Sequence, residues 1–282
     1  MSRPRLGVTG ATGHLGGRIA RLLAAAGVDQ RLVVRTPSKA PALAGATVAQ
    51  ASYADREAVR RALEGLDVVL MVSAVESAHR VDEHRTFVDA AVEAGVRHLV
   101  YVSFFGATPD ATFLLARDHQ ATEQHIERSG MAWTHLCDNL YADVLLQWFG
   151  DDGVLRGPAG DGRVSAVARD DVAAAATAVL RDPAAHEGRT YSLTGPEAFS
   201  LAEVAVTTSR VLGRSLSFHD ETLEEAYESR SSYGAPGWLV DAWVSTYTAI
   251  ASGELSGVTE DVERLTGRRP MSLADLLARP GG

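Results

Sequence analysis

Three glycines spaced three residues apart, Gly10, Gly13 and Gly16, stand between an apolar run at 5–9 and a stretch of helical periodicity at 15–26. A glycine at the first position permits a tight turn, and one at the second lets backbone amides come close to a bound group. A glycine at the third position lets the helix pack closely against the strand. A strand, a tight turn and a helix in this order begin a β–α–β unit, which constrains the fold of everything that follows.

The alternation of strands and helices continues through the first half of the chain. Apolar, β-branched runs alternate with stretches of helical periodicity, and these runs lie at 31–34, 47–49, 68–72, 98–103 and 132–136. Strands separated by helices are joined as parallel neighbours through right-handed crossovers. Residues 1–150 are therefore predicted to form a doubly wound, Rossmann-like parallel sheet of the α/β class.

The pattern changes after residue 150, where glycines and a proline crowd the stretch 150–162. Helices are expected at 170–181 and 200–212, and strands at 189–193 and 215–219. These strands are too few for an independent sheet domain. We predict that residues 151–282 form a smaller C-terminal α+β lobe that covers the strand ends of the first domain.

The glycine turn also predicts a function. The N-terminus of the helix that follows such a turn presents free backbone amides and a partial positive charge, and both favour a bound phosphate. In a strand–turn–helix context the pattern is typical of a dinucleotide site. We therefore assign one segment to binding a dinucleotide phosphate, and its residues are Gly10, Thr12, Gly13, His14, Leu15 and Gly16.

The end of the second strand distinguishes NADPH from NADH. An NAD site carries an acidic residue there, which accepts a hydrogen bond from the ribose 2′-hydroxyl. This chain instead carries Arg35, with Lys39 four residues later. A guanidinium can bind a 2′-phosphate through two hydrogen bonds and stack on an adenine ring. The sequence therefore favours NADPH.

Several other chemistries are excluded. Lys39 is the only lysine and is not followed by Ser or Thr, so no Walker A loop exists. There is no G-x-S-x-G motif of a serine hydrolase. One cysteine and scattered histidines give no zinc spacing, so no metal site is predicted.

Several segments together resemble the NmrA-like atypical short-chain dehydrogenases. They are the glycine turn, Arg35, and the stretches 101–103, 119–123, 133–136 and 160–173. Within that group the chain is most similar to the branch of NADPH-dependent quinone oxidoreductase type 2 and triphenylmethane reductase. The likeness covers nearly the whole chain, and it is weak after about residue 218. It implies further cofactor contacts at Ser52, Ser73, Ala74, Ser103, Phe104 and Asn139.

The resemblance also indicates catalytic residues. Classical short-chain dehydrogenases use a Tyr-x-x-x-Lys pair, which a chain with one lysine at position 39 cannot form. Many NmrA-like relatives have a lysine where this chain has His119, and in the quinone reductase branch a histidine is usual. His119 is therefore either a ribose contact, a proton donor or a neutral structural histidine.

The stretch after the sixth strand departs from the family pattern. Relatives usually carry Leu-Arg-Asn or Leu-Arg-Pro there, whereas this chain has Cys137 in place of the arginine, followed by Asp138. Tyr141 remains a nicotinamide or substrate contact, and Asp138 introduces a carboxylate that could transfer a proton. His119, Tyr141 and Asp138 are thus the catalytic candidates. An acceptor pocket is expected among Phe104, Phe105, Tyr141, Trp148 and Phe149, for which core packing is the alternative.

The sequence favours an NADPH-dependent oxidoreductase that transfers hydride to a quinone or a similar conjugated aromatic acceptor. Two alternatives stay open: an NmrA-type regulator that binds NADP(H) without turnover, and a ketone or imine reductase of secondary metabolism with Asp138 or His119 as proton donor.

Charge and cysteine content bear on partners and compartment. The net charge of −9, from 27 basic and 36 acidic residues, disfavours nucleic acids and anionic membranes. With one cysteine, no apolar run long enough to span a bilayer and no leader pattern, a cytoplasmic protein is expected. The expected partners are a small-molecule substrate and a second copy of the chain in a homodimer.

Overall fold

The computed structural model describes residues 5–279. The strands in this part of the chain are β1 (Leu6–Thr9), β2 (Gln30–Val34), β3 (Ala46–Gln50), β4 (Val68–Val72), β5 (His98–Phe104), β6 (Ala132–Asp138), β7 (Val154–Gly157), β8 (Arg163–Val164), β9 (Arg189–Leu193), β10 (Phe199–Ser200) and β11 (Ser217–Asp220).

The helices are α1 (His14–Ala25), α2 (Arg56–Leu63), α3 (Arg80–Glu93), α4 (Leu114–Arg128), α5 (Ala142–Leu145), α6 (Arg169–Arg181), α7 (Leu201–Leu212), α8 (Leu223–Ser231), α9 (Gly237–Ala251), α10 (Asp261–Thr266) and α11 (Leu273–Leu277). Short 3₁₀ helices occupy Pro37–Lys39, Leu146–Trp148 and Pro183–His186. Within residues 5–279, no helix is long and apolar enough to cross a membrane.

The central sheet has seven strands in the order β3-β2-β1-β4-β5-β6-β9. β1 pairs in parallel with β2 on one side and with β4 on the other, so the winding direction of the chain reverses between β1 and β4. A crevice forms outside the carboxyl ends of the strands at such a reversal, and ligands bind there in open α/β sheets. The prediction of a doubly wound, Rossmann-like sheet is confirmed.

Burial explains why these segments form the inner strands. Every residue of β1 and β5 is buried, and β4 is buried except at its last residue. Strands that are covered by helices on both faces are apolar along their whole length rather than at alternate positions. The continuous apolar runs of the sequence therefore identified the centre of the sheet correctly.

The chain divides into two compact units. The first comprises the chain up to Ser103 together with Asp118–Cys137 and Val172–Tyr191. The second comprises Phe104–Arg117, Asp138–Asp171 and the chain from Ser192 onward. Two small sheets, β8–β10 and β7–β11, belong to the second unit.

This division differs from a single boundary after residue 150. β9, which the sequence assigned to the C-terminal lobe, joins the central sheet beside β6. The segments that follow β5 and β6 instead belong to the second unit, so the two units are nearly equal in length. Each unit has its own hydrophobic core, built around Phe87 and Tyr101 in the first and around Leu145 and Ile250 in the second.

The packing of α1 against β1 depends on Gly16. A Cβ atom at this position would collide with the carbonyl oxygen of Gly10 and lie 2.7 Å from the carbonyl oxygen of Thr9. Both are backbone atoms, so the collision cannot be relieved by a side-chain rotation.

We predict that Gly16→Ala lowers the free energy of unfolding by about 1–3 kcal/mol, the usual effect of overpacking. Urea unfolding followed by circular dichroism measures this. Gly237→Ala is the control, because Gly237 lies at the start of α9 and no atom lies within 4 Å of an added Cβ. Equal stability of the two variants would contradict the prediction.

Candidate active site

A closed ring of hydrogen bonds ties the carboxyl end of β1 to that of β4. The Val72 amide donates to Thr9 Oγ1 over 2.9 Å, and the Tyr53 hydroxyl donates to the Val72 carbonyl over 2.7 Å. Because both of those donors are assigned, the Thr9 hydroxyl donates to Tyr53 Oη, 2.6 Å away. Burial raises the pKa of Tyr53, so the phenol keeps the proton that this ring requires. The ring fixes the backbone at the point where the sheet reverses direction.

The glycine turn lies directly after this ring. Gly10 has a φ of +66°, which favours glycine, and its carbonyl oxygen accepts a hydrogen bond from the Gly13 amide over 2.9 Å. The turn leads into α1, whose first turn contains no acidic residue. Leu15 is buried beneath the turn, while Thr12, Gly13 and His14 are exposed.

A cavity of about 490 Å³ opens at the start of α1. It is lined by Thr12, Gly13, His14, Arg18 and Arg21. His14, Arg18 and Arg21 are spaced four and three residues apart, which places them on one face of the helix. The lining therefore combines a helix N-terminus with two guanidinium groups and contains no carboxylate. These residues fit the pyrophosphate of a dinucleotide.

The end of β2 presents cations to solvent. Arg35 and Lys39 are both exposed, and Lys39 ends the 3₁₀ helix that begins at Pro37. The Arg35 carbonyl oxygen accepts a hydrogen bond from the Gln50 side chain over 3.1 Å, which holds the backbone at the strand end. Arg35 is thus accessible to solvent, and its contact with a 2′-phosphate stays a prediction.

Two buried side chains of α3 hold the loop that follows β4. The Ala74 amide donates to His84 Nε2 over 2.9 Å, and Arg80 Nε donates to the Ala74 carbonyl oxygen over 3.1 Å. Arg80 is 5% exposed and His84 is fully buried. Ser73 and Ala74, two predicted cofactor contacts, lie in this loop. Its backbone is fixed at Ala74, whose amide and carbonyl groups are both hydrogen-bonded to side chains of α3.

These bonds determine the proton positions on two histidines. His84 Nε2 accepts from a backbone amide, so Nδ1 carries the hydrogen and donates to Thr122 Oγ1 over 2.9 Å. His119 Nε2 faces Arg80 Nη2, which can only donate, at 3.0 Å. His119 Nδ1 therefore donates to Tyr101 Oη over 2.9 Å.

Burial, reinforced by the charge of Arg80, lowers the pKa of both histidines. The pKa of His84 falls to about 3, and that of His119 lies well below its usual value. His119 is thus neutral, and both of its ring nitrogens form hydrogen bonds. Among the three roles that the sequence left open, this geometry matches the neutral structural histidine.

Ser103 and Cys137 share a hydrogen-bond acceptor. Glu123 Oε1 accepts from Ser103 Oγ over 2.5 Å and from Cys137 Sγ over 3.3 Å. Burial raises the pKa of Glu123. Where relatives place an arginine, this chain therefore places a weak thiol donor beside a carboxyl group, and the Ser103 hydroxyl is committed to that same group.

In the second unit, the buried Asp138 is hydrogen-bonded to the half-buried Tyr141. The Tyr141 hydroxyl donates to Asp138 Oδ2 over 2.5 Å, and the guanidinium carbon of Arg169 lies 4.8 Å from the centre of the Tyr141 ring. Asp138 is 4% exposed, and burial raises its pKa to about 8, although Tyr141 and Arg169 oppose the shift. The pKa of Tyr141 is raised well above its usual value by burial and by Asp138. This pair holds a carboxylic acid that is mostly protonated at neutral pH.

Other predicted contacts have structural partners. The Asn139 amide nitrogen donates to Ser165 Oγ and to the Leu255 carbonyl oxygen, each over 2.9 Å, and Asn139 Oδ1 accepts from the Leu140 amide. Phe104 packs against Phe113, with ring centres 4.9 Å apart. Ser52 is exposed on the loop after β3. Asn139 and Phe104 therefore have structural contacts within the second unit. Their contact with a cofactor stays a prediction.

Residues 10–183 match the model of a protein family described as NAD(P)H-binding. The chain belongs to this NAD(P)H-binding family. The match begins at Gly10 and so includes the glycine turn, Arg35 and the loop after β4. The prediction of an NAD(P)H cofactor is confirmed.

Named relatives resemble the chain over almost its whole length. Quinone oxidoreductase 2 of Escherichia coli is 33% identical over 96% of this chain and 96% of its own. Its crystal structure with NADPH has a TM-score of 0.88 and covers 97% of this chain and 98% of its own, at 31% identity. The (4-alkanoyl-5-oxo-2,5-dihydrofuran-3-yl)methyl phosphate reductase of Streptomyces griseus is 36% identical over 93% of this chain and 92% of its own.

The structure of a triphenylmethane reductase from Citrobacter also matches. Its TM-score is 0.85 at 28% identity, and the match covers 97% of this chain and 99% of its own. Together with quinone oxidoreductase 2, it confirms the branch of the NmrA-like group that the sequence indicated.

Sequence reasoning missed four cationic or imidazole side chains of this NAD(P)H-binding protein. The spacing of Arg18 and Arg21 from His14 was a usable signal, since it places all three on one helix face. Arg80 and His84 gave no such signal, because their partner Ala74 lies in a loop and their burial is visible only in the fold.

We predict that Arg35→Gln weakens NADPH binding by about ten- to a hundredfold, because it removes a charge-assisted contact to the 2′-phosphate. NADH, which lacks that phosphate, should bind unchanged. Fluorescence titration with both nucleotides measures this. Arg61→Gln serves as the control, since Arg61 is an exposed arginine of α2 in the same unit. Equal weakening of NADPH and NADH would contradict the assignment.

We also predict that acid destabilises the protein through its buried neutral histidines. An unfolded His84 takes up a proton below its ordinary pKa, whereas the folded form stays neutral down to about pH 3. Folding stability therefore falls as the pH falls through this range.

His84→Asn should reduce that dependence by about 1.4 kcal/mol per pH unit between about pH 4 and 6. Urea unfolding at several pH values measures the slope. His125→Asn is the control, because His125 pairs with Asp89 near the surface and its side chain is 32% exposed. An unchanged slope in the His84 variant would show that His84 is protonated in the folded protein.

Proposed function

We propose that this protein is an NADPH-dependent oxidoreductase that transfers hydride to a quinone or a similar conjugated aromatic acceptor. Membership of the NAD(P)H-binding family supports the cofactor. Chain-long similarity to quinone oxidoreductase 2 and to triphenylmethane reductase supports the acceptor class. The fold alone does not establish the reaction. The acceptor class therefore depends on these relatives, and the catalytic roles depend on the side chains.

NADPH is favoured over NADH by the charge at the end of β2, because the pyrophosphate that fits the cavity at the start of α1 is common to both nucleotides. Arg35 and Lys39 lie at the end of β2, where an NAD-specific site carries a carboxylate. Arg18 and Arg21 line the cavity at the start of α1, beside the helix N-terminus. Each group adds positive charge where a phosphate would bind, in a chain whose overall charge is −9.

The observation that carries the catalytic proposal is the hydrogen bond between Tyr141 and Asp138. Reduction of a quinone to a hydroquinone takes up one hydride and one proton. NADPH, when bound, supplies the hydride. Asp138 keeps a proton at neutral pH because burial raises its pKa to about 8, and the 2.5 Å hydrogen bond connects it to the Tyr141 hydroxyl. In this step the Tyr141 hydroxyl gives its proton to the acceptor, and the protonated Asp138 gives its own proton to Tyr141 Oη, so the hydrogen bond between the two residues reverses direction.

This arrangement replaces the missing Tyr-x-x-x-Lys pair. In that pair, a lysine lowers the pKa of the tyrosine. Here the tyrosine keeps a very high pKa, and the neighbouring acid serves as the proton store. Arg169 lies over the Tyr141 ring, and its positive charge opposes the upward shift of the pKa of Tyr141 and of Asp138.

His119 has a different role in this proposal. Its ring is neutral, and its single N–H proton is held in the hydrogen bond to Tyr101, so it does not serve as a general acid at neutral pH. It instead holds Arg80, which in turn holds the Ala74 carbonyl oxygen. We propose that His119 positions the loop after β4, which contains Ser73 and Ala74, and that it takes no part in proton transfer.

A second candidate function is reduction of a conjugated carbonyl compound in secondary metabolism. The Streptomyces griseus relative, whose name describes reduction of an oxo-dihydrofuran phosphate, supports it. The Asp138–Tyr141 pair suits this reaction equally well, because reduction of a carbonyl or an enone also consumes one hydride and one proton. A regulator that binds NADP(H) without turnover is the alternative that an activity test can separate from both.

The function is tested by following NADPH absorbance with purified protein and a panel of benzoquinones, naphthoquinones, triphenylmethane dyes and cyclic enones. Turnover with quinones or dyes supports the main proposal, and turnover with enones alone supports the second candidate. Tight NADP⁺ binding without any turnover would replace both with the regulator. The cytoplasmic compartment and the homodimer stay predictions.

We predict that kcat is highest at neutral pH and falls as the pH rises through about 8, because Asp138 then loses its proton. Asp138→Asn should lower kcat by about 10²–10⁴, the usual contribution of a general acid, and should abolish this pH dependence. Steady-state kinetics between pH 6 and 10 measure both effects.

Asp161→Asn is the matched control, since Asp161 is an exposed carboxylate of the same unit. Circular dichroism confirms that both variants fold. A kcat in the Asp138 variant that equals the wild-type value, with the same fall above pH 8, would exclude Asp138 as the proton source.

A further inference from the structure

The second unit contains a cavity of about 360 Å³ that neither Asp138 nor Tyr141 lines. Of the five aromatic residues from which the sequence predicted an acceptor pocket, its lining includes Trp148 and not Phe104, Phe105, Tyr141 or Phe149. Its walls come from the 3₁₀ helix that ends at Trp148, from the start of β7, from the end of α8 with the connection that follows it, and from α9. All of its lining residues lie within the second unit, so its shape is set by that unit alone.

Aromatic rings form two sides of this cavity. Trp148 and Tyr247 pack with ring centres 5.0 Å apart, and Tyr233 and Trp243 meet edge to face with centres 6.1 Å apart. Aromatic residues make up 6% of the chain, yet two of its four tryptophans line this one cavity. Two pairs of rings suit a planar aromatic ligand, which can stack or pack edge to face against them.

The charged residues of the lining are both arginines. Arg230 lies 4.9 Å above the Tyr247 ring and forms a buried ion pair with Glu221 at 2.9 Å. Arg156 pairs with Asp152 at 2.6 Å. Neither Glu221 nor Asp152 lines the cavity, so a ligand there meets the cations and not their counterions.

The two arginines differ in how freely they can change partners. Arg230 is 7% exposed and donates to Glu221, to the Ala226 carbonyl oxygen and to the Arg156 carbonyl oxygen, so it is fixed in place. The Arg156 side chain is 41% exposed, and its partner Asp152 is 52% exposed. The pair is bidentate, since Nη1 and Nη2 of Arg156 donate to the two Asp152 oxygens over 3.2 and 2.6 Å. Both side chains are nevertheless exposed to solvent, which weakens the pair, so an anion in the cavity can replace Asp152 as the partner of Arg156.

We propose that this cavity is a binding site for a planar aromatic acid, a flat ring system that carries one carboxylate or sulfonate. Trp148, Trp243 and Tyr247 contact the rings, and Arg156 binds the acid group. Arg230 supplies fixed positive charge and shapes the wall through its contact with Tyr247. The site does not depend on hydride transfer, so it extends the proposed function rather than resting on it.

Isothermal titration calorimetry with 2-naphthoate, on the full chain saturated with NADP⁺, tests this proposal. The wild type should bind one naphthoate, and 2-naphthamide, which is neutral and of the same shape, should bind at least about tenfold more weakly. Arg156→Gln should raise the Kd for naphthoate by about tenfold and leave the Kd for naphthamide unchanged.

Arg163→Gln is the matched control. Arg163 is also half-exposed and ion-paired in the second unit, with Glu203, but it does not line this cavity. Equal loss of naphthoate binding in the Arg163 variant would show non-specific attraction to positive charge and would overturn the proposal. No saturable naphthoate binding to the wild type would overturn it as well.

Trp243→Leu gives a second, independent variant. It should weaken naphthoate and naphthamide alike, because it removes a ring that both would contact. Unchanged binding of both ligands would exclude the aromatic walls. NADPH oxidation by the wild type is measured separately, so failure of this proposal and failure of the reductase proposal are distinguishable.

Discussion

The hydrogen-bond ring of Thr9, Tyr53 and Val72 holds the sheet at the point where its winding direction reverses. Thr9 accepts from the Val72 amide, Tyr53 donates to the Val72 carbonyl, and Thr9 completes the ring. The glycine turn begins one residue after Thr9, and the loop held by Arg80 and His84 begins one residue after Val72. Both parts of the proposed cofactor site therefore extend from one fixed point, and their relative placement within the first unit depends on it.

Local signals in the sequence were sufficient for the sheet and for much of the cofactor site. β1, β4 and β5 are apolar along their length because helices cover both faces, and Gly16 is required by a backbone contact close in sequence. The contact of Arg35 with a 2′-phosphate could be predicted for the same reason, since it depends only on the position of Arg35 at the end of β2. Such features need no knowledge of distant partners.

The remaining features depend on contacts that the sequence does not display. His84 and Arg80 meet Ala74 only because α3 packs beneath the loop, and Tyr53 meets Thr9 across 44 residues. The sequence predicted that the Asp138 carboxylate lies near the nicotinamide. Its raised pKa could not be predicted, because it follows from burial in the folded protein. The place of β9 could not be predicted for a similar reason, because this strand returns to a sheet formed much earlier in the chain. The division of the chain into domains after residue 150 stays a prediction.

The buried cation of the first unit is an arginine in a chain with a single lysine. A guanidinium keeps its charge at every pH that a protein survives, whereas a buried ammonium readily loses a proton. The loop after β4 is held by Arg80 together with His84, which stays neutral down to about pH 3. Asp138, the proposed proton source, does titrate, because burial raises its pKa to about 8. In the proposed mechanism, nucleotide affinity and turnover therefore respond to pH independently, so that an alkaline medium leaves a protein that retains its nucleotide but reduces quinones far more slowly.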